Sequence, residues 1–356
     1  MKSELECPDS FAVFGYEQVQ VSDPPLAIAR EIMADVLKFR RVVAGPQAEC
    51  ATTPCPRCSA PHLSKVASAI ERGEPITFVL PAFPGKSPNP AKVLGQLPDM
   101  AERRALEFLQ QLCDRVKRYH SPGARVILCS DGRVFSDVIG MRDEDVTAYQ
   151  DELSRLIREM GLTSISTYNL DDLYAGLDFD RMRSQLMEGH GDSLEDLRAS
   201  VRRGGNAPDA SADDREAHRL YCGITRFLVE DSMYPGQPLS RSALQRECRI
   251  RAYEVIQRSK AWGDLIEEIF PDAVRLSIHP QACGAKKLGI RLIEPDNWVT
   301  PWHGVAVDIG DRYILLKRSQ AEELGARLID REGRPSHFVL TDANALTKLR
   351  EAGYGA

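Results

Sequence analysis

The sequence predicts an α/β fold in which a parallel sheet with flanking helices precedes a smaller β-rich region. Three apolar, strand-like runs lie at residues 77–82, 125–129 and 164–168. Helical patterns over residues 99–119 and 143–160 separate them, so strand, helix and strand alternate as in parallel sheets. After residue 273 the periodicity changes to that of short strands. The predicted architecture is therefore a Rossmann-like parallel sheet plus a carboxy-terminal β-rich region.

The amino-terminal part of the chain reads as a helix and a loop. Apolar residues spaced three to four apart, from Ile28 to Leu37, predict a helix over residues 24–45 that ends at Gly45-Pro46. A cysteine-bearing loop and a short helix near residues 62–72 follow. The next helix begins at Asp99, and Glu102 three residues later completes a capping-box pattern.

The carboxy-terminal region contains four predicted strands. They are residues 274–278, 289–293, 304–308 and 313–316, and the last two are joined as a hairpin at Gly310-Asp311. Four regions are predicted along the chain: an N-terminal helix and Cys-bearing loop (1–60), a Rossmann-like α/β core (61–200), a helical segment with a flexible loop at 202–214 (201–272), and a β-rich region completing the active site (273–356).

Bulk composition limits the classes of function. The chain has 356 residues, a formal net charge of −6, 43% hydrophobic residues and 28% charged residues, which is typical of a soluble globular protein. Because phosphate-backbone binding relies on clustered Lys and Arg, this balance argues against a nucleic-acid partner. No apolar run is long enough for a bilayer, and the amino terminus lacks a secretion signal, so we expect no membrane partner and a cytoplasmic location with reduced cysteines.

Polar side chains follow the predicted strands where each strand ends. The first loop carries Lys86, Ser87, Asn89 and Lys92. The loop after the second strand presents Ser130, Asp131, Arg133, Ser136 and Asp137. Since the carboxyl ends of parallel strands meet at one edge of a sheet, and open α/β sheets bind ligands there, the sequence predicts an enzyme pocket for a small anionic substrate.

Five blocks together closely resemble the isocyanide (isonitrile) synthase family, also called the pyoverdine/dityrosine biosynthesis family. They span residues 60–340, and five motifs in order are far more specific than one glycine pattern. The blocks are Leu80-Pro-Ala-Phe-Pro-Gly-Lys-Ser-Pro-Asn89, Ser130-Asp-Gly-Arg-Val-Phe-Ser-Asp137, Phe227-Leu-Val-Glu-Asp231, Arg275-Leu-Ser-Ile-His-Pro280 and Thr300-Pro-Trp-His-Gly304.

The resemblance implies a lyase-type reaction that requires no cofactor. In this family the α-amine of an amino acid, typically tyrosine or tryptophan, becomes an isonitrile whose carbon comes from C2 of ribulose 5-phosphate. Such chemistry requires cations for phosphate and carboxylate, and acids and bases for condensation of an amine with a ketone. The sequence is silent on whether an iron-dependent oxygenase acts next on the product, and on the choice of amino acid.

The polar residues of these loops can be given roles in such a reaction as hypotheses. Lys86, Ser87 and Lys92, with Asn89 beside them, are predicted to hold the phosphate; the alternative is that the lysines are solvated surface residues. Asp131 and Asp137 are candidate general bases, although Asp131 before Gly132 also fits a simple turn.

Histidines and arginines supply further candidates. His279 and His303 can donate or accept protons near neutral pH, but a lone histidine near a strand is more often structural. Trp302 either stacks on substrate or fills the core, and the core is favoured. The remaining predicted substrate-binding residues, which sequence alone does not rank, are Ser130, Arg133, Arg226, Lys287 and Arg318.

A cluster of cysteines is the sequence pattern that most strongly favours a different function. Cys50, Cys55, Cys58 and His62 have spacings compatible with a structural zinc site. Two other functions therefore stay open: a zinc-stabilised binding module, and a nucleotide-dependent oxidoreductase on a similar α/β fold. The second is weakened because no Gly-x-Gly-x-x-Gly follows a predicted strand.

Overall fold

The structure is a computed structural model that describes residues 23–41, 50, 55–294 and 298–351. Two sheets organise it. The first has five strands in the order β3-β2-β1-β4-β5, and the second has four strands in the order β7-β6-β9-β8. The mixed α/β class with a second, smaller sheet is as predicted.

All five strands of the first sheet run parallel. Their bounds are β1 (Ile76–Leu80), β2 (Ala124–Cys129), β3 (Ile165–Tyr168), β4 (Val274–Ser277) and β5 (Leu288–Gly289). Three of them match the predicted amino-terminal strands closely. β1 pairs with β2 on one side and β4 on the other, with Val79 opposite Ile127 and Arg275. The ends of β2 and β4 therefore flank the end of β1, at the edge where a ligand site is expected.

Helices cover both faces of this sheet. On one face the apolar side chains of α1 (Pro24–Val36), α2 (Pro56–Glu71), α3 (Met100–Val116) and α5 (Asp143–Glu159) form one core with alternate strand residues such as Phe78 and Leu128. The other strand residues, Val79 and Ile127 among them, pack against α4 (Gly132–Ile139), α7 (Phe179–His190) and α10 (Arg241–Ile269). This alternation of strand side chains gives a sheet buried on both faces.

The end of one helix differs from its prediction, and the start of another agrees with it. α1 ends at Val36 and continues as a single 3-10 turn, Leu37–Phe39, instead of running to residue 45. Residues 42–45 of that predicted helix, like the amino terminus at residues 1–22, lie outside the described part of the chain. The capping box of α3 is confirmed: the Asp99 side chain accepts from the backbone of the first turn, and Glu102 accepts from the Asp99 backbone N–H.

The middle of the chain is helical, as predicted, with a shorter connection than expected. The helices after β3 are α6 (Leu170–Leu173), α7, α8 (Leu194–Asn206), α9 (Ala212–Ser232) and α10. The predicted flexible loop at 202–214 is wrong, because α8 continues through Gly204-Gly205 and Ser211 already caps α9 with a hydrogen bond from the Asp214 N–H. Among the described helices, none is both long and apolar enough to cross a membrane.

The second sheet contains fewer of the predicted carboxy-terminal strands than expected. Its strands are β6 (Val305–Asp308), β7 (Tyr313–Leu316), β8 (Arg327–Arg331) and β9 (Arg334–Val339), and the short helices α11 (Arg318–Glu323) and α12 (Ala343–Leu349) accompany it. The β6–β7 hairpin is confirmed. The assignment of the strands near 274 and 289 to this region is wrong, because β4 and β5 extend the parallel sheet.

Helix α3 joins the two sheets. Its amino-terminal residues Met100 and Ala101 pack against Ala306 and Leu315 of the second sheet, while Leu106 and later residues pack on the first sheet.

The prediction that residues 130–137 form a loop is also wrong, because α4 begins at Gly132. A Cβ at Gly132 would lie 1.9 Å from the Pro84 carbonyl oxygen, so glycine permits close approach of the loop after β1. The ends of β1 and β2 are thereby held together.

Candidate active site

The first predicted substrate-binding residue, Lys86, belongs to the core. Its ammonium group is fully buried and lies 2.9 Å from Asp99 Oδ2 and 2.8 Å from Glu102 Oε2. It also donates to the carbonyl oxygen of Pro301 at 3.0 Å. The two carboxylates and the carbonyl oxygen surround the ammonium group, so the charge of Lys86 is compensated inside the protein. This geometry favours a structural position for Lys86, and its phosphate role stays a prediction.

The buried Lys86 cluster has an excess of carboxylates. Tyr149 OH donates to Glu102 Oε1 at 3.1 Å, so the cluster contains two acids, one lysine and one phenol. Burial, with the neighbouring Glu102 charge, raises the pKa of Asp99 despite the opposing effect of Lys86. Burial and the Glu102 charge also raise the pKa of Tyr149 well above its usual value. A proton retained on Asp99 brings the charges of the cluster into balance.

Ser87 and Asn89 are buried and bonded to the protein. The Ser87 backbone N–H donates to the carbonyl oxygen of Trp302 at 2.8 Å, and its hydroxyl accepts from the Asn89 N–H at 3.2 Å. The Asn89 side-chain amide donates to the carbonyl oxygen of Glu230 at 2.9 Å. These contacts fix the loop after β1 against α9 and the turn at Pro301–His303. They assign both residues a structural position instead of the predicted contact with substrate.

Lys92 is paired with Asp231 of α9, which also orients His303. The Lys92 ammonium donates to Asp231 Oδ1, and His303 Nε2–H donates to Asp231 Oδ2 at 3.2 Å. Burial alone would raise the pKa of Asp231, but His303 and Lys92 lower it to about 2. His303 Nδ1 lies 2.9 Å from Thr300 Oγ1. Both ring nitrogens of His303 thus contact protein groups, which makes it better suited to positioning than to free proton transfer.

Asp131, just after β2, and Arg275, on β4, interact electrostatically, and each has buried polar atoms without a hydrogen-bond partner. Asp131 Oδ1 is buried with no hydrogen-bond partner, and burial raises the pKa of Asp131 to about 7, with Arg275 opposing. Arg275 is 8% exposed, and its Nε and Nη1 have no hydrogen-bond partner. Burial lowers the pKa of Arg275, while Asp131 opposes that shift. Since unsatisfied buried polar atoms are costly, their concentration at a sheet edge marks a ligand site.

His279 and Lys287 lie in the loop between β4 and β5, and Lys287 interacts electrostatically with both Arg275 and His279. Both residues are solvent-exposed, yet burial by surrounding protein lowers the pKa of each. The charges of Arg41, His303 and Lys287 further lower the pKa of His279, and Arg275 further lowers the pKa of Lys287. A neutral imidazole at pH 7 can accept a proton, and the His279 ring has no hydrogen bond to a described residue.

Carboxylates at longer range moderate this positive charge. Asp264 and Glu267 of α10 interact electrostatically with both Arg275 and Lys287. Neither forms an ion pair with Arg275 or Lys287 among the described contacts within 4.0 Å. The guanidinium of Arg275 lies over Gly263 of α10, with Nη2 at 3.7 Å from where a Cβ would stand. The cleft therefore keeps cationic donors available for an anion.

Two residues predicted from the second loop have structural partners. Ser130 is buried and donates to the carbonyl oxygen of Phe83 at 2.9 Å. Asp137 accepts from Arg258 Nη1 at 2.6 Å and Nη2 at 3.0 Å, and Arg183 Nη1 lies 3.6 Å away. These arginines hold the Asp137 side chain against α10 and α7, and its role as a base stays a prediction.

Arg133 keeps one unsatisfied group close to the same edge. Its Nε lies 3.2 Å from Asp171 Oδ1, and its guanidinium stacks over Phe179 at 5.2 Å. Nη1 is buried with no hydrogen-bond partner, as is Asn169 Oδ1 at the end of β3. Arg133 is therefore at the periphery of the candidate cleft, and its predicted contact with substrate stays a prediction.

The other predicted residues lie away from Asp131 and Arg275. Trp302 is 2% exposed and packs on Phe83 with ring centroids 5.1 Å apart, so it fills the core as favoured. Arg318 is paired with Glu322 at 2.8 Å on α11. Arg226 is exposed on α9 and makes no hydrogen bond or ion pair with a described residue. Within the predicted set, Lys287 interacts electrostatically with His279, and Arg275, which was not predicted, interacts with both Lys287 and Asp131.

The cysteine cluster has a different fourth member from the predicted one. Cys50, Cys55, Cys58 and Cys283 place their Sγ atoms within 4.8 Å of one another. His62 is buried elsewhere along α2, and burial lowers its pKa to about 4. The predicted zinc ligand His62 is therefore replaced by Cys283 in this constellation.

Sequence reasoning missed Arg275, Asp231 and Cys283 as functional or site-forming residues. Arg275 carried a usable signal, because a charged residue in the middle of a short, otherwise apolar strand must be paired or face a ligand. Asp231 and Cys283 carried no local signal. Their partners Lys92 and Cys58 are separated from them by 139 and 225 residues in the chain.

Comparison with known proteins agrees with this architecture. Residues 66–329 match the sequence profile of the family described as pyoverdine/dityrosine biosynthesis protein. The chain is 44% identical over 323 residues to the L-tryptophan isonitrile synthase AmbI2 of Fischerella ambigua, covering 90% of this chain and 94% of the relative. It is 47% identical over 284 residues to the L-tyrosine isonitrile synthase of Pseudomonas aeruginosa, covering 78% of this chain and 84% of the relative.

A solved structure gives the same result for the fold. The crystal structure of the PvcA protein from Pseudomonas aeruginosa superposes with a TM-score of 0.80 at 44% sequence identity. The match covers 88% of this chain and 100% of that chain. The similarity therefore extends over both sheets and the helical middle.

Replacing Lys86 should cost stability rather than affinity for an anion. In Lys86→Met the side chain keeps its length, but Asp99 and Glu102 lose their buried cation, and we expect a loss of about 3–5 kcal/mol in the free energy of unfolding. Urea denaturation measures it. Lys260→Met, which removes a surface ion pair with Asp192, is the control and should cost about 1 kcal/mol or less. An unchanged unfolding midpoint in Lys86→Met with selectively weakened binding of sugar phosphate would restore the phosphate role.

Proposed function

Because the chain belongs to the pyoverdine/dityrosine biosynthesis family, we propose that it is an isonitrile synthase acting on an aromatic L-amino acid, tyrosine or tryptophan. Ribulose 5-phosphate serves as the carbon donor, and no cofactor is required. The observation that supports this proposal best is the juxtaposition of Asp131 and Arg275, each with unsatisfied buried polar atoms, at the carboxyl edge of the parallel sheet. One group suits proton transfer and the other suits an anion.

Asp131 is the base that starts the reaction. An amino acid enters with an ammonium group, which must lose a proton before its nitrogen attacks the C2 carbonyl of the sugar. A carboxyl group whose pKa is raised to about 7 accepts that proton at neutral pH. It can return the proton to the carbinolamine hydroxyl, which then leaves as water when the imine forms. His279, with its free and neutral ring, is the second candidate for proton transfer beside it.

Arg275 and Lys287 hold the anionic groups of the substrates. The Arg275 guanidinium has two N–H donors without partners, and guanidinium groups bind phosphate or carboxylate in bidentate fashion. Lys287 adds a mobile ammonium group on the exposed wall of the cleft. We assign the anion-binding role to these two cations and not to Lys86 and Lys92. The charges of those lysines are already compensated by Asp99, Glu102 and Asp231.

An apolar face of α9 supports the choice of an aromatic substrate. Phe227 lies edge-on to the His303 ring at 5.0 Å, and Leu220, seven residues earlier on the same side of the helix, is 47% exposed. Glu216 of the same helix interacts electrostatically with Lys287, so this face follows the wall that carries the cations. An aromatic side chain can pack against Phe227 and Leu220 while its ammonium and carboxylate groups reach the polar groups.

The surroundings proposed for the enzyme follow from the same chemistry. Ribulose 5-phosphate is a metabolite of the cytoplasm, where we place the protein. Its partners are small molecules rather than nucleic acid or a membrane, since the formal net charge is −6. An iron-dependent oxygenase is proposed as the enzyme that acts next on the isonitrile product.

Isotope transfer tests the function directly. Purified protein incubated with ribulose 5-phosphate labelled with ¹³C at C2, together with tyrosine, tryptophan and leucine, should yield an aromatic product that has gained one labelled carbon and lost its basic amine. Mass spectrometry identifies the product, and the preferred amino acid is read from the same reaction. Leucine should remain unchanged. Absence of labelled carbon in every amino acid would exclude the proposed function.

The Asp131 carboxylate should control the pH dependence of kcat. Because only its ionised form accepts a proton, kcat should rise with pH through an apparent pKa near 7. Asp131→Asn removes the base, and we expect kcat to fall by about 100-fold or more. Steady-state kinetics from pH 5.5 to about 8.5 measures both effects. Asp137→Asn, the same change six residues along the chain, should retain most of the activity.

Stability separates loss of the base from misfolding. The folded-state pKa of Asp131 lies above the ordinary value of 3.8, so protonation favours the folded protein. That contribution is present below about pH 4 and is lost as the pH rises to about 7. Asp131→Asn should therefore be at least as stable as the wild type at pH 8. Near-normal kcat in a folded Asp131→Asn variant would rule out the proposed role.

A further inference from the structure

Four cysteines from two distant parts of the chain converge in a group that the proposed reaction does not use. Cys50, Cys55 and Cys58 lie before and within the start of α2, and Cys283 lies between β4 and β5. The first three are buried, and Cys283 is half-buried. All four are free thiols in this structure.

The spacing of the sulfur atoms matches a tetrahedral metal site. Four thiolates about 2.3 Å from a zinc ion stand about 3.8 Å from one another in a regular tetrahedron. Cys55 Sγ lies 3.8 Å from Cys50 Sγ and 3.7 Å from Cys283 Sγ, and the Cys58 to Cys283 distance is also 3.7 Å. Cys50 and Cys58 are closer, at 3.0 Å. The cluster thus has the dimensions of a four-coordinate zinc site.

The backbone around Cys55 places two of the sulfur atoms close together. Cys55 is the N-cap residue of the 16-residue helix α2, and Cys58 lies in its first turn. The N–H groups of Cys58 and Ser59 both donate to the carbonyl oxygen of Cys55 at 3.1 Å, which gives a tight turn between the two sulfur ligands.

We propose that the chain binds one structural zinc ion through Cys50, Cys55, Cys58 and Cys283. Four protein thiolates leave no open coordination position, so the ion is structural and takes no part in the chemistry. His62 is not a ligand. This proposal does not depend on the proposed function.

The ion joins the amino-terminal segment to the loop that carries His279 and Lys287. Hydrogen bonds join the same two parts of the chain: the Arg41 N–H donates to the carbonyl oxygen of Gly289 at 2.8 Å, and the Gln281 N–H donates to the carbonyl oxygen of Arg41 at 3.2 Å. Cys283 lies between Gln281 and Gly289, in the middle of that loop. A zinc ion bound to Cys283 therefore fixes one wall of the candidate cleft.

Metal analysis of variants tests the ligand set. Protein purified without chelators should contain about one zinc per chain by inductively coupled plasma mass spectrometry. Cys283→Ser should reduce the zinc content at least fivefold, whereas His62→Ala should leave it unchanged. Cys222→Ser, the same change at a thiol outside the cluster, is the control. Loss of zinc in His62→Ala with retention in Cys283→Ser would overturn the assignment in favour of the ligand set that local spacing suggests.

A measurement on the unmodified protein covers the case in which Cys283→Ser does not fold. The zinc X-ray absorption spectrum should show four sulfur neighbours at about 2.3 Å and no imidazole scattering. An imidazole contribution overturns the proposal. Three other results would also overturn it. They are protein that stays free of zinc after the metal is supplied, protein that contains iron and sulfide in place of zinc, and a thiol titration that finds the four cysteines oxidised to disulfides.

Discussion

The buried ammonium group of Lys86 is the interaction on which the arrangement of both sheets depends. It lies after β1, and its three acceptors belong to the start of α3 and to the turn at Pro301–His303. Asp99 and Glu102 also form the capping box of α3, so the same two carboxyl groups cap the start of the helix and neutralise the lysine. Because a charge buried without partners is very costly, these three segments must assemble together.

That assembly separates cations that hold the fold from cations that are open to a ligand. Lys86 and Lys92 each contact carboxylates in the interior, and Lys92 shares Asp231 with His303. Arg275 is buried but its Nε and Nη1 lack hydrogen-bond partners, and it interacts electrostatically with Asp131. Ion pairs in the interior hold the loop after β1, whereas Asp131 and Arg275, which keep unpaired polar atoms, are the residues that we propose for the chemistry.

Local sequence patterns predicted most of the fold because its signals are local. The strands at 76–80, 124–129 and 165–168 have short apolar runs, and the capping box at Asp99 lies within one helical turn. The errors arose where partners are remote. Nothing near Lys86 in the sequence shows that Asp99 and Glu102 will surround its side chain. Likewise, the pairing of β4 with β1 instead of β6 depends on the chain crossing back after α10.

The candidate site was predicted in part for the same reason. The carboxyl ends of parallel strands identify a sheet edge, which correctly placed Asp131, but strand ends do not show which polar residues already have partners. Asp137 resembles Asp131 in sequence, yet Arg258 from α10, 121 residues away, neutralises it. Only the three-dimensional arrangement distinguishes a carboxyl group held by arginine from one left with an unpaired oxygen.

The position of bound ribulose 5-phosphate tests the central claim most directly. A crystal structure of the complex should show phosphate oxygens within hydrogen-bond distance of the Arg275 guanidinium, with the sugar carbonyl in the same cleft as Asp131. A phosphate bound instead to Lys92, or to the half-buried Arg115 and the exposed Arg118 on the far face of the first sheet, would contradict the account.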